Sequence, residues 1–210
     1  MRQKTVIFDF DGTLADTFSL VVDVSYEIAG ATSRLSGHDV EALRRLPLLR
    51  AVRALGISWW QVPKLSLHTR RRMFGRIHTV PVFPGVVETL QRLDKDGYRL
   101  CVLTSNHKRN AHKFLQTHNL DTYFSDIVGV PYGNVFFKVY GLHKLLKRNQ
   151  LRAEDCYYIG NEPLDMRAAE ISGLKAVATS WGGHERVELA ATRPFAIIDK
   201  PQDLLEVVRR

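Results

Sequence analysis

The chain has 210 residues, 45% apolar and 25% charged, close to the average for a soluble globular protein. That excludes a wholly disordered chain, a collagen-like repeat and a small disulfide-stapled scaffold, and it suits one domain or one domain carrying an insertion. Lys plus Arg number 30 against 22 for Asp plus Glu, a formal charge of +8 that favours anionic partners.

Met1 to Lys4 runs straight into Thr5-Val6-Ile7-Phe8, an apolar stretch too short for a signal peptide. No run approaches the roughly 18 apolar residues of a membrane span. Cys101 and Cys156 lie in apolar runs and read as buried hydrophobes of a reducing compartment, so a cytoplasmic protein is expected.

Thr5–Phe10 is β-branched and aromatic and is broken by Asp11-Gly12, the pattern of a buried strand ending in a tight turn. Phe18, Val21, Val22, Ser25, Ile28 and Ala29 then recur at helical spacing, with Gly30 as a stop. Further helical patterns cover Asp39–Arg45, Leu48–Leu55 and Trp59–Ile77, with no strand alternation between them. An all-helical insertion over 16–80 follows. Pro81-Val82-Phe83-Pro84-Gly85 closes it as a hinge or turn.

Strands and helices alternate from there. Helices are expected over Val86–Lys95, Lys108–His118, Val139–Arg148, Pro163–Ser172 and Gln202–Val208. Strands are expected over Tyr98–Leu103, Ile127–Val130, Cys156–Ile159, Lys175–Ala178 and Phe195–Ile198. Short apolar runs joined by helices argue for an α/β, Rossmann-like parallel sheet with helices on both faces. The core would be 1–15 and 81–210. Ligands of such sheets bind along the carboxyl edge of the strands.

Four polar clusters fall at that edge. Asp9 and Asp11 flank Phe10, and in an extended backbone both carboxylates can face one site. Two such carboxylates raise one another's pKa unless a cation sits between them, although an Asp-Gly pair also serves as an ordinary solvated turn. Thr104, Ser105 and Asn106 offer neutral donors for anionic oxygens, or an N-cap for the next helix. Lys138 follows Phe136-Phe137, an apolar stretch that would hold its ammonium at the sheet edge. Asn161, Glu162 and Asp165 group hard oxygen donors that suit Mg²⁺, while capping and helix-dipole compensation explain the first two almost as well.

Taken in order, these clusters resemble the haloacid dehalogenase superfamily, specifically its phosphatase branch with a helical cap after the first motif, similar to phosphoglycolate phosphatases. Asp9-Phe10-Asp11-Gly12-Thr13-Leu14 looks like the first motif, Thr104 the second, Lys138 the third and Gly160 to Asp165 the fourth. The resemblance implies that Asp9 attacks phosphorus to form an aspartyl-phosphate and that Asp11 is the general acid and base. Lys138 would be catalytic as well as phosphate-binding, alongside Gly12, Thr13, Thr104, Ser105 and Asn106. Mg²⁺ would be held by Asp9, Asp11 and the fourth motif, Asn161, Glu162 and Asp165. The family usually has an aspartate where this chain has Asn161, so weaker metal binding is expected, with Glu162 or Asp165 taking over the contact.

The substrate so implied is a small phosphorylated metabolite. A phosphomutase shares all four motifs, and a degenerate binding or regulatory module is the reading prompted by Asn161. Nucleic acid is a poorer fit, because Arg70-Arg71-Arg72 are about 100° apart on a helix and lack interleaved aromatics. Arg44, Arg45, Arg50, Arg53 and Arg70 to Arg72 read mostly as a wet face, His68 and His78 as ordinary histidines, and Trp59-Trp60 as cap core ahead of a contact with another subunit.

Overall fold

Val6 and Phe8 of the first strand enter one apolar core, and Ile7 between them enters another, as the two-residue period of an extended chain requires. The computed structural model describes residues 3–29, 42, 43, 46, 50, 53, 54, 56–131 and 134–209. Its strands are β1 Thr5–Phe8, β2 Arg99–Thr104, β3 Phe124–Gly129, β4 Cys156–Gly160, β5 Lys175–Thr179 and β6 Ala196–Ile198. They form one sheet in the order β3-β2-β1-β4-β5-β6, with every pairing parallel.

The helices are α1 Phe18–Ala29, α2 Val62–Arg76, α3 Val86–Lys95, α4 Lys108–Thr117, α5 Val135–Arg148, α6 Pro163–Ile171, α7 Arg186–Ala191 and α8 Leu204–Arg209. Leu90, Phe114 and Val208 bring α3, α4 and α8 onto the face of Val6 and Phe8. Leu142, Met166 and Leu189 bring α5, α6 and α7 onto the face of Ile7. The α/β, Rossmann-like sheet with helices on both faces is therefore the fold.

Between β1 and α3 the named elements among the described residues are helical, α1, α2 and the 3₁₀ turns Trp59–Gln61 and Ile77–Thr79, beside isolated β-bridges from Ala15 to Asp11 and to Val82. Glu27 of α1 takes Arg72 at 2.9 Å and Arg76 at 2.8 Å, so these two arginines share a face of α2, as their spacing requires. Exposed pairs of this kind contribute at most about 1 kcal/mol each. The chain leaves and re-enters the sheet unit along one path: Asp16 N–H donates to the Pro81 carbonyl at 3.0 Å and Phe83 N–H to that of Leu14 at 3.1 Å.

Several expectations shift. Helix α5 begins at Val135, four residues before the expected Val139, because the Asn134 side chain accepts a hydrogen bond from Phe136 N–H at 2.9 Å and caps it. Phe136 and Phe137 are consequently exposed, at 68% and 40%, and do not hold the Lys138 ammonium. The N-cap of α4 is His107 rather than Ser105 or Asn106. Trp60 is 65% exposed, not core, while the Trp59 side chain is outside those described. Arg50, Arg53, Arg71 and Arg72 are exposed, as a wet face requires. The stop at Gly30, most of the helices expected over Asp39–Arg45 and Leu48–Leu55, and Arg44 and Arg45 lie outside the described residues, as does the Arg70 side chain.

Candidate active site

Because β1 pairs with both β2 and β4, its end emerges between theirs: Phe8 lies opposite Val102 on one side and Ile159 on the other. Asp9 continues the pairing by donating its N–H to the Ile159 carbonyl at 2.8 Å. Phe10 then turns into the core, edge-on to Phe114 with ring centroids 5.1 Å apart. Its carbonyl accepts from Leu14 and Ala15, each at 3.0 Å, which winds the chain tightly past Asp11. Gly12 makes this possible with φ +78, and a Cβ there would lie 2.5 Å from the Asn161 amide nitrogen. Asp9 and Asp11 are thereby held on either side of a buried anchor.

Lys138 reaches the site from α5 rather than from a strand end. Its helix buries Lys138, Gly141, Leu142 and Leu145 along one face, so the ammonium points where the apolar stripe points. The side chain is 7% exposed, with Nζ 3.4 Å from Asp9 Oδ2, 3.9 Å from Glu162 Oε2 and bonded to Asp165 Oδ1. Asp165 is fully buried and well occupied: Tyr158 donates to Oδ1 at 2.9 Å and the Glu162 N–H donates to Oδ2 at 3.0 Å. It holds the lysine in place instead of facing the rim.

The charge balance is uneven, with four carboxyl groups around one ammonium. Burial lifts Asp9 well above the usual carboxylate range; Lys138 opposes this, while Asp165, Glu162 and Asp11 add to it. Burial likewise pushes Asp11 up to about 6, against hydrogen bonds from Asn106 and Thr17. Burial pulls Lys138 down, but the adjoining Asp165 and Asp9 outweigh it and keep the ammonium above the lysine range. Burial and the Asp165 charge raise the Tyr158 phenol, so it stays a donor.

The remaining residues converge on the same rim. Thr104 is buried at the end of β2, where its hydroxyl oxygen accepts from Asn106 N–H at 2.8 Å, and its own O–H remains a donor. Ser105 adjoins it, half-buried. Gly12 N–H donates to the Ala15 carbonyl at 2.9 Å and Thr13 Oγ1 donates to Asn161 Oδ1 at 3.2 Å, so both brace the turn. Asn161 Nδ2 donates in turn to the Gly182 carbonyl at 3.1 Å, and Trp181 Nε1 to the Thr13 carbonyl at 3.1 Å. Met73, Thr17 and Trp181 belong to none of the four polar clusters of the sequence. Only contact reveals them.

An Mg²⁺ ion suits this donor set. Burial makes Asp9 costly as an anion, and three neighbouring carboxyls add to that cost with a single ammonium to offset them. Among the described residues no three His, Cys, Asp or Glu side chains form a chelating group by themselves. Magnesium accepts such a site, since one or two carboxylates suffice when carbonyl, amide, water and phosphate oxygens complete its shell.

A family model described as haloacid dehalogenase-like hydrolase matches residues 6–179, from within β1 to the end of β5, and takes in Asp9, Asp11, Thr104, Lys138, Asn161, Glu162 and Asp165. The chain belongs to that family. A relative named phosphoglycolate phosphatase, from Synechococcus elongatus, is 33% identical over 208 residues, covering 98% of this chain and 97% of its own. Pyrophosphatase PpaX of Bacillus mycoides is 27% identical over 217 residues, covering 100% and 99%. Among solved structures, one titled a predicted phosphatase from Clostridium acetobutylicum superposes with TM-score 0.81 at 20% identity, covering 99% of each chain. A haloacid dehalogenase-like protein from Streptococcus pneumoniae gives 0.78 at 23%, covering 97% of each. Both structures bear on the fold.

Proposed function

We propose that this hydrolase is a magnesium-dependent phosphatase that cleaves a small organic phosphate monoester through an aspartyl-phosphate on Asp9, in the manner of a phosphoglycolate phosphatase. The observation that carries this reading is a buried Asp9 lying 3.4 Å from the buried Lys138 ammonium, with Asp11 held beside it by Asn106 at 3.2 Å. Asp9 is the nucleophile: its carboxylate oxygen bonds to phosphorus as the ester P–O bond breaks. Asp11 gives its proton to the departing oxygen. It then takes a proton from water as the water oxygen bonds to phosphorus, releasing inorganic phosphate and restoring Asp9. A carboxyl near 6 can do both around neutral pH. Lys138 and the Thr104 hydroxyl stabilise the phosphoryl oxygens, where charge shifts in the transition state.

Mg²⁺, when bound, supplies positive charge that lets a carboxylate approach a phosphate dianion. Asp9, the Asp11 backbone carbonyl, Asn161 and Glu162 would hold it; Asp165 is committed to Lys138, Tyr158 and the Glu162 N–H. Residues 16–80 act as a cap over the core formed by 1–15 and 81–210. Free, buried Cys101 and Cys156 fit a reducing, cytoplasmic setting. Among the described residues no helix is long and apolar enough to cross a membrane.

The test is a panel of small phosphate esters, with 2-phosphoglycolate and inorganic pyrophosphate included, assayed with Mg²⁺ beside an Asp9→Asn control. Phosphate release by the native chain and none by the control is expected. Equal, background release from both overturns the reading and favours a binding module, and a need for a bisphosphate activator favours a mutase.

A further inference from the structure

Asn106 sits where β2 hands over to α4, beside Thr104, and its residue type suggests a donor for phosphate oxygens. The geometry leaves it no such capacity. A primary amide has two N–H donors and one carbonyl oxygen with two acceptor positions. Here Nδ2 donates to Asp11 Oδ1 at 3.2 Å and to Met73 Sδ at 2.9 Å. Oδ1 accepts from His107 N–H at 2.7 Å and from Asn110 Nδ2 at 2.9 Å. All four positions are filled, and Asn106, Asn110 and Met73 are all buried.

The two donor contacts join different parts of the molecule. Asp11 follows the first strand of the sheet, whereas Met73 lies on α2, in the helical segment between β1 and α3. His107 and Asn110 fix the amide from the α4 side, which leaves its N–H groups a single orientation. We infer that Asn106 is a positioning residue for the acid carboxyl of Asp11, held to that task by Met73 of the helical segment, and that it does not bind the phosphoryl group. Proton donation by Asp11 is thereby made conditional on α2 sitting over the site.

This rests on the phosphatase reading, and the test separates the two. A general acid matters in proportion to how poor the leaving group is, and contributes about 10²- to 10⁴-fold when the group would otherwise have to leave as an alkoxide. Native protein is first assayed with an alkyl phosphate and with 4-nitrophenyl phosphate, whose phenolate departs without protonation. Failure on both sinks the phosphatase reading, not this one alone. First-turnover rates are then compared for Asn106→Ala and Met73→Leu, with thermal unfolding as the check on folding.

Asn106→Ala should lose about 100-fold on the alkyl ester, while the nitrophenolate burst stays within about threefold and KM is little changed. Met73→Leu, which keeps the volume but removes the sulfur acceptor and touches no substrate, should show the same selectivity at about three- to tenfold. An equal loss on both esters, or a rise in KM shared by both, overturns the assignment in favour of a phosphate contact. A Met73→Leu protein indistinguishable from native overturns the link to α2.

Discussion

Asp9 and Asp11 are held where an anion is costly, and the cost has a sign that can be checked. Asp11 is pushed from an ordinary 3.8 to about 6 by burial, so the folded state binds its proton more readily than the unfolded chain does. Its contribution to stability is present in full below about 4 and is lost as the pH rises through about 6. That displacement is worth up to roughly 3 kcal/mol. Asp11→Asn should therefore raise Tm in metal-free buffer at pH 7.5, with a gain that shrinks steadily as the pH is lowered towards 4. Asp9→Asn should also raise Tm while abolishing turnover, since burial and its carboxylate neighbours lift Asp9 as well. A pH-independent difference, or a lower Tm for both variants, would contradict this account. Asn161 supplies a neutral amide at the rim, braced by Thr13 and the Gly182 carbonyl. Asn161→Asp should lower the Mg²⁺ concentration for half-saturation, both by calorimetric titration and in turnover.

At the scale of elements, the position of Lys138 depends on how closely α5 lies against the sheet. Gly141, one turn further along the same buried face, sets that approach: a Cβ there would collide with the side chains of Leu103 and Val130. Gly141→Val should force α5 outward, at about 1–3 kcal/mol of stability. The same displacement draws the ammonium away from Asp9, so kcat should fall as well. Tyr140, exposed on the neighbouring position, is the control; Tyr140→Ala should leave stability within about 0.5 kcal/mol and kcat unchanged. If Gly141→Val matched that control, helix approach would not be what places the lysine. Helix α6 serves the site in the complementary way. Asp165 both accepts the Glu162 N–H at its first turn and anchors Lys138, so one carboxylate stabilises a helix start and a buried ammonium together.

For the molecule as a whole, the helical segment and the sheet share a core. Leu20, Val22, Val24, Ile57, Met73 and Ile77 belong to the apolar cluster that also holds Phe10, Leu14 and Phe114. Among the described residues these side chains pack with the residues that shape the site rather than apart from them. Heat should accordingly unfold the protein in one cooperative step, with equal calorimetric and van't Hoff enthalpies and the same midpoint by circular dichroism and fluorescence. Two resolved transitions would show that the segment melts as a unit of its own.

Much of this was legible in the chain itself because it depends on local order. β-branched and apolar runs separated by helical periods specify a parallel, doubly covered sheet, and Asp9-Phe10-Asp11-Gly12 shows its turn through side-chain alternation and one glycine. Helix α5 is expected four residues too late because Phe136-Phe137 reads as an apolar stretch at the sheet edge, whereas the Asn134 cap starts the helix ahead of it. The division of labour at the site came only from tertiary structure. Residue type alone makes Asp165 and Glu162 equal candidates for a metal, and Asn106 a candidate for phosphate. Which of them is free to bind depends on lone pairs and N–H groups already taken by Tyr158, Lys138, Asp11 and Met73, partners brought together from distant parts of the chain. Sequence determined which groups are present at the sheet's rim; packing determined which of them are still available, because each hydrogen-bonding position can be used once.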